Sequence, residues 1–361
     1  MSRTAPHLVA AISPHGFGHA AQTAPVLNAL RTRVPDLRVT LRTTVPRDLL
    51  AARVGGPWDY EPVASDFGMV MASALDIQVD ASADAYARLH DRWEEEVERE
   101  AAALAALDPD LVLCNVPYLP LAAAARLGIP AIALCSLNWA DVYMHYCGAR
   151  PEAAAVHAHM LDAYRAARWF LQPEPSMPMT DIPNRRPIGP IAAVGADRRD
   201  ELRRRLGLGP RERAVLITPG GIALPLPVDA WPRLPGVRWI VPGAWKIARP
   251  DAIAREAIPM PFVDLLRSSD AVIGKPGYGT FVEAGCNGTP VLYVRRHDWP
   301  EEPYLVDWLE RRGRALEIER SRLERGDVAD ALDALLALPA PPPVKPTGAD
   351  EAASLILGAC P

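Results

Sequence analysis

The chain has 361 residues, of which 49% are hydrophobic and 23% charged, and its formal net charge is −5. This length exceeds one ordinary hydrophobic core and predicts two domains of about 150 to 180 residues each. The charge argues against a general nucleic-acid-binding protein, which needs a basic face for phosphates, and it is too small for a disordered acidic chain.

The cysteines predict a reducing compartment. Two of the five, Cys114 and Cys135, stand in apolar runs, where cysteine behaves as a small buried hydrophobe. No C-x-x-C pair occurs among Cys114, Cys135, Cys147, Cys286 and Cys360. The N-terminal apolar run is too short for a signal-peptide core, and no stretch approaches the ~18 apolar residues of a membrane span. We therefore expect a cytoplasmic protein without an integral membrane segment.

The first half of the chain alternates short apolar runs with helical patterns. The apolar runs predict strands at 7–12, 37–42, 110–115 and 130–136. The helical patterns predict helices at about 20–31, 82–106 and 119–127, and the second of these is the longest in the chain. Strands that alternate with helices imply a parallel sheet covered on both faces.

A segment with six prolines and no periodicity, at 173–190, is the best linker candidate. Alternation resumes beyond it, with strands predicted at 213–218, 237–241, 270–274 and 290–294. Helices are predicted at about 197–206, 262–268, from about 280, 301–312 and 327–337. A stiff proline-rich spacer at 338–348 then precedes a last short helix at 349–359. The pattern predicts an α/β protein with two doubly wound domains, 1–180 and 181–340.

Three glycine-bearing loops follow predicted strands. They read SPHGFGHA at 13–20, TPGGI at 218–222 and GKPGYGT at 274–280. Ligands of an open parallel sheet bind at the carboxyl ends of its strands. A glycine turn that opens a helix presents free N–H groups and the positive end of the helix dipole, which suits phosphate. The first loop matches neither the P-loop nor the G-x-G-x-x-G dinucleotide fingerprint.

Two histidines, His15 and His19, frame the glycines of the first loop. A lone histidine in a turn is more often a hydrogen-bonding filler, but two at the end of the first strand favour chemistry. His19 is the candidate general base near neutral pH. A metal site is not expected, because these histidines lack a third ligand nearby and because His157 and His159 point to different faces of a predicted helix.

The third loop admits two interpretations. Thr280 and Glu283 are three residues apart at a predicted helix start, which matches a capping box, and the spacing alone favours this structural role. The functional alternative places Gly277 to Thr280 around a diphosphate, Glu283 on a ribose diol, and the positive charge of Lys275 beside the phosphates.

The acidic residues after the strand at 290–294 also admit two interpretations. Asp298, Glu301 and Glu302 stand beside Arg295 and Arg296. They either favour the dipole of helix 301–312 from its first turn or hold sugar hydroxyls.

Together these loops resemble those of the GT-B glycosyltransferases with nucleotide-sugar donors, in the branch of the N-acetylglucosaminyltransferase that forms lipid II. They are still more similar to the glycosyltransferase-like N-terminal half of plant L-arabinokinases. The similar segments are PHGFGHA at 14–20, SLNWADVYMHY at 136–146, GKPGYGTFVE at 274–283 and RRHDWPEEPYL at 295–305. The likeness runs from about residue 7 to residue 358, and its combined order is specific although no single motif is.

The resemblance implies two Rossmann-like domains that face each other across a cleft, with the C-terminal helix returning to the first. It implies a donor held by the second domain through Gly220, Gly221, Lys275, Gly277, Tyr278, Gly279, Thr280, Glu283, Glu301 and Glu302. Within this set, Glu283 takes the ribose and the last two take the donor sugar. In the first domain it implies the catalytic residues His19 and His15, with the loop and acceptor-side residues Gly16, Phe17, Gly18, Asn138 and Trp139.

The sequence departs from the arabinokinase pattern in two ways. Pro14 replaces the first glycine of the histidine loop. No serine- and glycine-rich phosphate loop of the GHMP kinase type is present, so phosphorylation of arabinose is not implied.

The sequence therefore predicts a glycosyltransferase that inverts the anomeric centre and needs neither a metal nor a cofactor. UDP or TDP is expected in preference to GDP, with a small-molecule donor, an unidentified acceptor and no nucleic-acid partner. A D-x-D pattern of the metal-dependent transferases occurs formally at Asp108 to Asp110, but it lies between a helix and the amino end of a strand, away from the expected site. A nucleotide-sugar epimerase or hydrolase, and a non-catalytic nucleotide-sugar-binding regulator, remain as alternatives on the same fold.

Overall fold

The computed structural model describes residues 5–221, 226–296 and 298–359. This chain divides into two compact units. The first comprises the residues up to Ala72, Asp76–Ile191 and the chain from Thr347, and the second comprises Ser73–Leu75 and Ala192–Pro346. Cys360 lies outside the described residues, as do Ile222 and His297 of the predicted loops, and the other four cysteines are buried thiols.

The first unit is built on a seven-stranded parallel sheet with the order β3-β2-β1-β4-β5-β6-β7. Its strands are β1 His7–Ile12, β2 Arg38–Arg42, β3 Asp59–Glu61, β4 Leu111–Asn115, β5 Ala131–Leu134, β6 Trp169–Pro173 and β7 Arg185–Ile188. Its helices are α1 Gly18–Arg33, α2 Arg47–Ala51, α3 Val79–Asp91, α4 Trp93–Leu107, α5 Leu119–Leu127, α6 Trp139–Cys147 and α7 Ala153–Ala166. All six residues of β1 are buried, as its apolar sequence predicts for a strand covered on both faces.

The second unit is built on a six-stranded parallel sheet with the order β10-β9-β8-β11-β12-β13. Its strands are β8 Arg213–Thr218, β9 Val237–Val241, β10 Ala252–Ala254, β11 Ala271–Gly274, β12 Val291–Tyr293 and β13 Ala315–Glu317. Its helices are α8 Arg199–Leu206, α9 Phe262–Ser268, α10 Tyr278–Asn287, α11 Glu302–Arg312, α12 Arg320–Arg325 and α13 Ala329–Ala337. Counted from its own first strand, each sheet has the order 3-2-1-4-5-6, and the first sheet continues with β7.

The long helix predicted at 82–106 is two helices, α3 and α4, which separate at Arg92 (φ −117°, ψ 26°). The break allows His90 and Trp93 to stack, with ring centroids 5.0 Å apart and planes 10° from parallel. His159 of α7 extends this stack and approaches His90 Nδ1 to 3.0 Å through its own Nδ1. Tertiary packing of buried rings, rather than a glycine or proline, therefore ends α3.

The predicted linker at 173–190 contains a strand, β7, at the edge of the first sheet. Pro187 pairs with Gln172 of β6 there, and an edge strand tolerates a proline because only one of its sides needs N–H donors. The last helix, α14 Gly348–Leu357, belongs to the first unit, where it packs against α1. Its apolar face buries Ala352, Ala353 and Ile356.

The strand order places a topological switch point in each sheet. It lies between β1 and β4 in the first unit and between β8 and β11 in the second. Loops that leave neighbouring strands in opposite directions open a crevice there, at the carboxyl ends. Among the described residues, no helix is long and apolar enough to cross a lipid bilayer.

Candidate functional site

His19 lies in the first turn of α1, directly above the switch point of the first sheet. Its Nδ1 is 2.9 Å from the Oδ1 of Asn115, the last residue of the neighbouring strand β4. Because an amide oxygen only accepts hydrogen bonds, Nδ1 carries the proton and Nε2 keeps its lone pair. This is the tautomer in which Nε2 can take a proton from a ligand.

A buried chain of amides fixes this arrangement. The Asn115 Nδ2 donates to Gln22 Oε1 at 3.2 Å, and the Gln22 Nε2 donates to Ser136 Oγ at 2.8 Å. Gln22 is 1% exposed, and Asn115 is fully buried. Because the Asn115 Nδ2 donates to Gln22, its Oδ1 is the atom that faces His19.

The surroundings keep His19 neutral. Burial lowers the pKa of His19 to about 4, and the hydrogen bond with Asn115 opposes this shift. The imidazole is therefore unprotonated near pH 7, as a general base requires. A neutral amide partner stabilises the imidazolium less than a carboxylate does, which is consistent with this lowered pKa.

The structure brings His15, His19 and Trp139 together. The indole of Trp139, the first residue of α6, lies 5.2 Å from the His15 ring and 5.9 Å from the His19 ring, centroid to centroid. Gly16 between the histidines has φ +85°, a left-handed conformation that favours glycine. Phe17 caps α1 without a side-chain hydrogen bond, and Gly18 begins the helix.

Asn138 has a structural role at the start of α6. Its Oδ1 accepts from the Asp141 backbone N–H at 2.8 Å, and its Nδ2 donates to the Asp141 carboxylate at 2.8 Å. This is the hydrogen bonding of an N-cap residue. Its position on the acceptor side stays a prediction.

In the second unit, Lys275 lies between two glycine turns at the switch point. Gly220, with φ +84°, follows β8, and Gly277 precedes α10. A Cβ on Gly220 would lie 3.9 Å from the Lys275 Nζ, and one on Gly277 would lie 3.8 Å from it. Burial lowers the pKa of Lys275 to about 7, helped by the nearby Arg296 and opposed by Glu301 and Glu302. The two turns therefore adjoin an amine that is only partly protonated near pH 7.

The capping box predicted at Thr280 and Glu283 is wrong. The helix begins at Tyr278, so Thr280 lies inside its first turn, and the N-cap residue is Gly277, which has no side chain. The N-cap residue of α10 thus offers no side-chain cap, and it lies beside Lys275. Glu283 is 1% exposed within the helix, and its contact with ribose stays a prediction.

Two of the three acids that follow β12, Glu301 and Glu302, lie at the start of α11, whereas Asp298 precedes it. Glu301 is the N-cap residue and accepts from the Trp299 indole at 3.2 Å. Glu302 accepts from the backbone N–H of Arg296 at 2.8 Å, and its carboxylate lies 3.6 Å from the Arg295 guanidinium. Both carboxylates therefore shape the loop at 295–296, and their contact with a sugar stays a prediction.

The remaining donor-side residues follow the two turns. Gly221 adjoins Gly220, and Gly279 and Thr280 lie half-buried in the first turn of α10 behind the buried Tyr278. In the described part of the chain, no three His, Cys, Asp or Glu side chains gather so as to hold a metal ion.

Sequence reasoning missed Asn115, Gln22 and Asp66. Asn115 could have been predicted, because it is a polar residue at the carboxyl end of a buried strand. Gln22 is one turn beyond His19 on the predicted helix. Asp66 gave no signal, because it lies in an irregular segment between β3 and α3.

The fold is that of the GT-B glycosyltransferases, and comparison with known proteins supports the resemblance predicted from the loops. L-arabinokinase from Arabidopsis thaliana is 26% identical over 320 residues, which are 86% of this chain and 30% of that protein. The chain thus spans less than a third of this relative's length. No family model matches the chain.

Two solved structures illustrate the fold. The kitacinnamycin glycosyltransferase superposes with a TM-score of 0.60 at 18% identity, covering 99% of this chain and 100% of its own. The spinosyn rhamnosyltransferase SpnG, complexed with thymidine diphosphate, superposes with a TM-score of 0.56 at 16% identity, covering 98% and 96%.

Proposed function

We propose that the chain is a glycosyltransferase that moves a sugar from a nucleoside diphosphate to a hydroxyl group of a small-molecule acceptor. One observation carries the proposal: each unit places the residues fit for its half of this reaction at the switch point of its own sheet. In the first unit these are His19 and Asn115, and in the second they are Lys275 and the two glycine turns. The GT-B fold supports the same reaction class.

The first unit supplies the base. His19 Nε2 takes the proton of the acceptor hydroxyl as its oxygen attacks the anomeric carbon of the donor sugar. The glycosidic bond forms while the bond from that carbon to the diphosphate breaks, so the configuration inverts. His19 holds the proton afterwards, with Asn115 fixing the ring through Nδ1.

The second unit supplies the binding site of the donor. The amides of the Gly220–Gly221 turn and the first N–H groups of α10 bind the diphosphate, and Lys275 adds a positive charge that offsets the one developing on the leaving group. This charge takes the place of a metal ion in the proposal. Glu283 binds the ribose, and Glu301 and Glu302 face the donor sugar. The thymidine diphosphate bound to a protein of the same fold supports TDP or UDP as the nucleotide. We place the activity in the cytoplasm.

A thermal-shift screen with UDP, TDP, GDP, CDP and ADP tests the donor site. A ligand at ~100 times its Kd adds about 2.7 kcal/mol to the free energy of unfolding, which is easily seen. We expect UDP or TDP to stabilise the wild type and Lys345→Ala, an exposed lysine of the same unit. Lys275→Ala and Glu283→Ala should lose the response. The proposal fails if no nucleotide stabilises the wild type.

A further inference from the structure

A buried carboxylate, that of Asp66, lies against the histidine loop with one oxygen unused. Its Oδ2 accepts from the Trp139 indole N–H at 2.6 Å, and the nearby Ser13 hydroxyl, like that indole, lowers the pKa of the carboxyl group against the larger effect of burial. Its Oδ1 is sealed from solvent and has no hydrogen-bond partner in the described part of the chain. The residue as a whole is 7% exposed.

The tyrosines near Asp66 do not donate to this oxygen, because their hydroxyls are engaged elsewhere. Tyr86 donates its hydroxyl to the Gly68 carbonyl at 2.7 Å, and Tyr164 donates to the Val116 carbonyl at 2.9 Å. The Tyr118 hydroxyl lies 2.8 Å from His90 Nε2. Within the described residues, no cationic side chain forms an ion pair with Asp66. A buried carboxylate without such a partner costs folding free energy, which points to a role other than stability.

The segment that carries Asp66 packs directly on the catalytic loop. A Cβ on Gly68 would lie 2.7 Å from both the His15 and the Trp139 rings, so only glycine permits this contact. The neighbouring Ser65 is 8% exposed, and its hydroxyl also lacks a hydrogen-bond partner among the described residues. Residues 62–64, just before this pair, are exposed. The two unused oxygens therefore belong to a segment that follows a solvent-exposed stretch and packs on the histidine loop through Gly68.

We propose that Asp66, with Ser65, binds a hydroxyl group of the acceptor, which is a sugar or a polyol, and so selects the acceptor beside the histidine loop. A carboxylate oxygen accepts a hydrogen bond from one hydroxyl, and the serine can both donate to and accept from the next one. This pairing fits vicinal hydroxyls better than an ammonium group, which only donates. The proposal rests on the proposed function in one respect, namely that the bound sugar or polyol is an acceptor.

The experiment compares the wild type with Asp66→Asn and with Asp36→Asn, an exposed aspartate of the same unit. Asparagine keeps an oxygen for the Trp139 indole but turns the free oxygen into a donor. Thermal shifts are measured at neutral pH with monosaccharides and linear polyols, and with amino sugars and alkylamines as a second arm. UDP and TDP are run in parallel.

We expect at least one sugar or polyol to stabilise the wild type and Asp36→Asn, and its affinity to fall at least tenfold in Asp66→Asn. Without ligand, Asp66→Asn should unfold no earlier than the wild type. The proposal is overturned by an equal response of Asp66→Asn, by a response to amines alone, by no response to any sugar or polyol, or by early unfolding of Asp66→Asn. The nucleotides report on the other unit, so a sugar response without a nucleotide response would refute the transferase and leave the Asp66 site standing.

Discussion

His19 and Asn115 are 96 residues apart in sequence, yet they meet at 2.9 Å because β1, which leads into the loop before His19, pairs with β4, which ends at Asn115. Asn115 decides which nitrogen of His19 carries the proton. The proposed base is thus positioned by a neutral amide, and its basicity follows from the chemistry of that partner.

Replacing Asn115 by aspartate should make His19 more basic. A carboxylate facing Nδ1 stabilises the imidazolium, so the pKa of His19 should rise from about 4 by about 1 to 3 pH units. The acid limb of the pH–rate profile should move with it. An NMR titration of the imidazole, assigned with His19→Gln, measures the shift.

Asn28→Asp, further along α1, is the matched control and should leave the His19 titration unchanged. A His19 pKa that does not respond in Asn115→Asp would mean that the hydrogen bond does not form in solution.

Donor binding should weaken as the pH rises above 7. The pKa of Lys275 is lowered to about 7 in the free protein, and a bound diphosphate favours the charged amine, so binding takes up a proton. The linkage allows up to about a tenfold loss of affinity for each pH unit above this value. Calorimetry in buffers of different ionisation heat measures both the affinity and the proton uptake. Lys275→Arg stays charged and should flatten the dependence, and equal slopes in the two proteins would contradict the role of Lys275.

Asp66 should make the free energy of unfolding depend on pH in the acid range. Burial raises its pKa from 3.8 to about 6, so the folded state holds the proton more tightly than the unfolded state. Its contribution to stability is therefore largest below about pH 4 and is lost as the pH rises to about 6. Asp66→Asn lacks this loss, and relative to its stability at low pH it should gain up to about 3 kcal/mol over the wild type at neutral pH. Urea unfolding across this range gives the two curves, and parallel curves would show that Asp66 is not buried in its charged form.

The docking of α14 within the first unit should depend on Gly348. A Cβ at this position would lie 1.9 Å from the Gly189 carbonyl oxygen, which is backbone and cannot rotate away. Gly348→Ala should cost about 1 to 3 kcal/mol of unfolding free energy, as overpacked sites do. Gly358→Ala, whose Cβ would meet its nearest atom at 3.4 Å, is the control and should be close to neutral in urea unfolding. Equal stability of the two variants would mean that α14 does not pack as described.

Features that depend only on residues adjacent in the sequence could be predicted from the sequence. The strand β1 and the glycine turns after β1, β8 and β11 have local signals, namely continuous apolar runs followed by residues that permit unusual backbone angles. These signals sufficed to predict a parallel α/β fold with ligand loops at the carboxyl ends of its strands. Strands of three residues, such as β3 and β10, are too short to show a period and were missed.

Other features were decided only by tertiary structure. Helix α3 ends at Arg92, where rings of α4 and α7 stack on His90. Helix α10 begins at Tyr278, with Gly277 as its N-cap residue, and not at Thr280. The sequence determined which residues of this protein are able to do chemistry, since that depends on side-chain type and local backbone. The order of the strands decided which of them meet, because His19, Asn115 and Asp66 come together only through hydrogen bonds and packing between segments far apart in the chain.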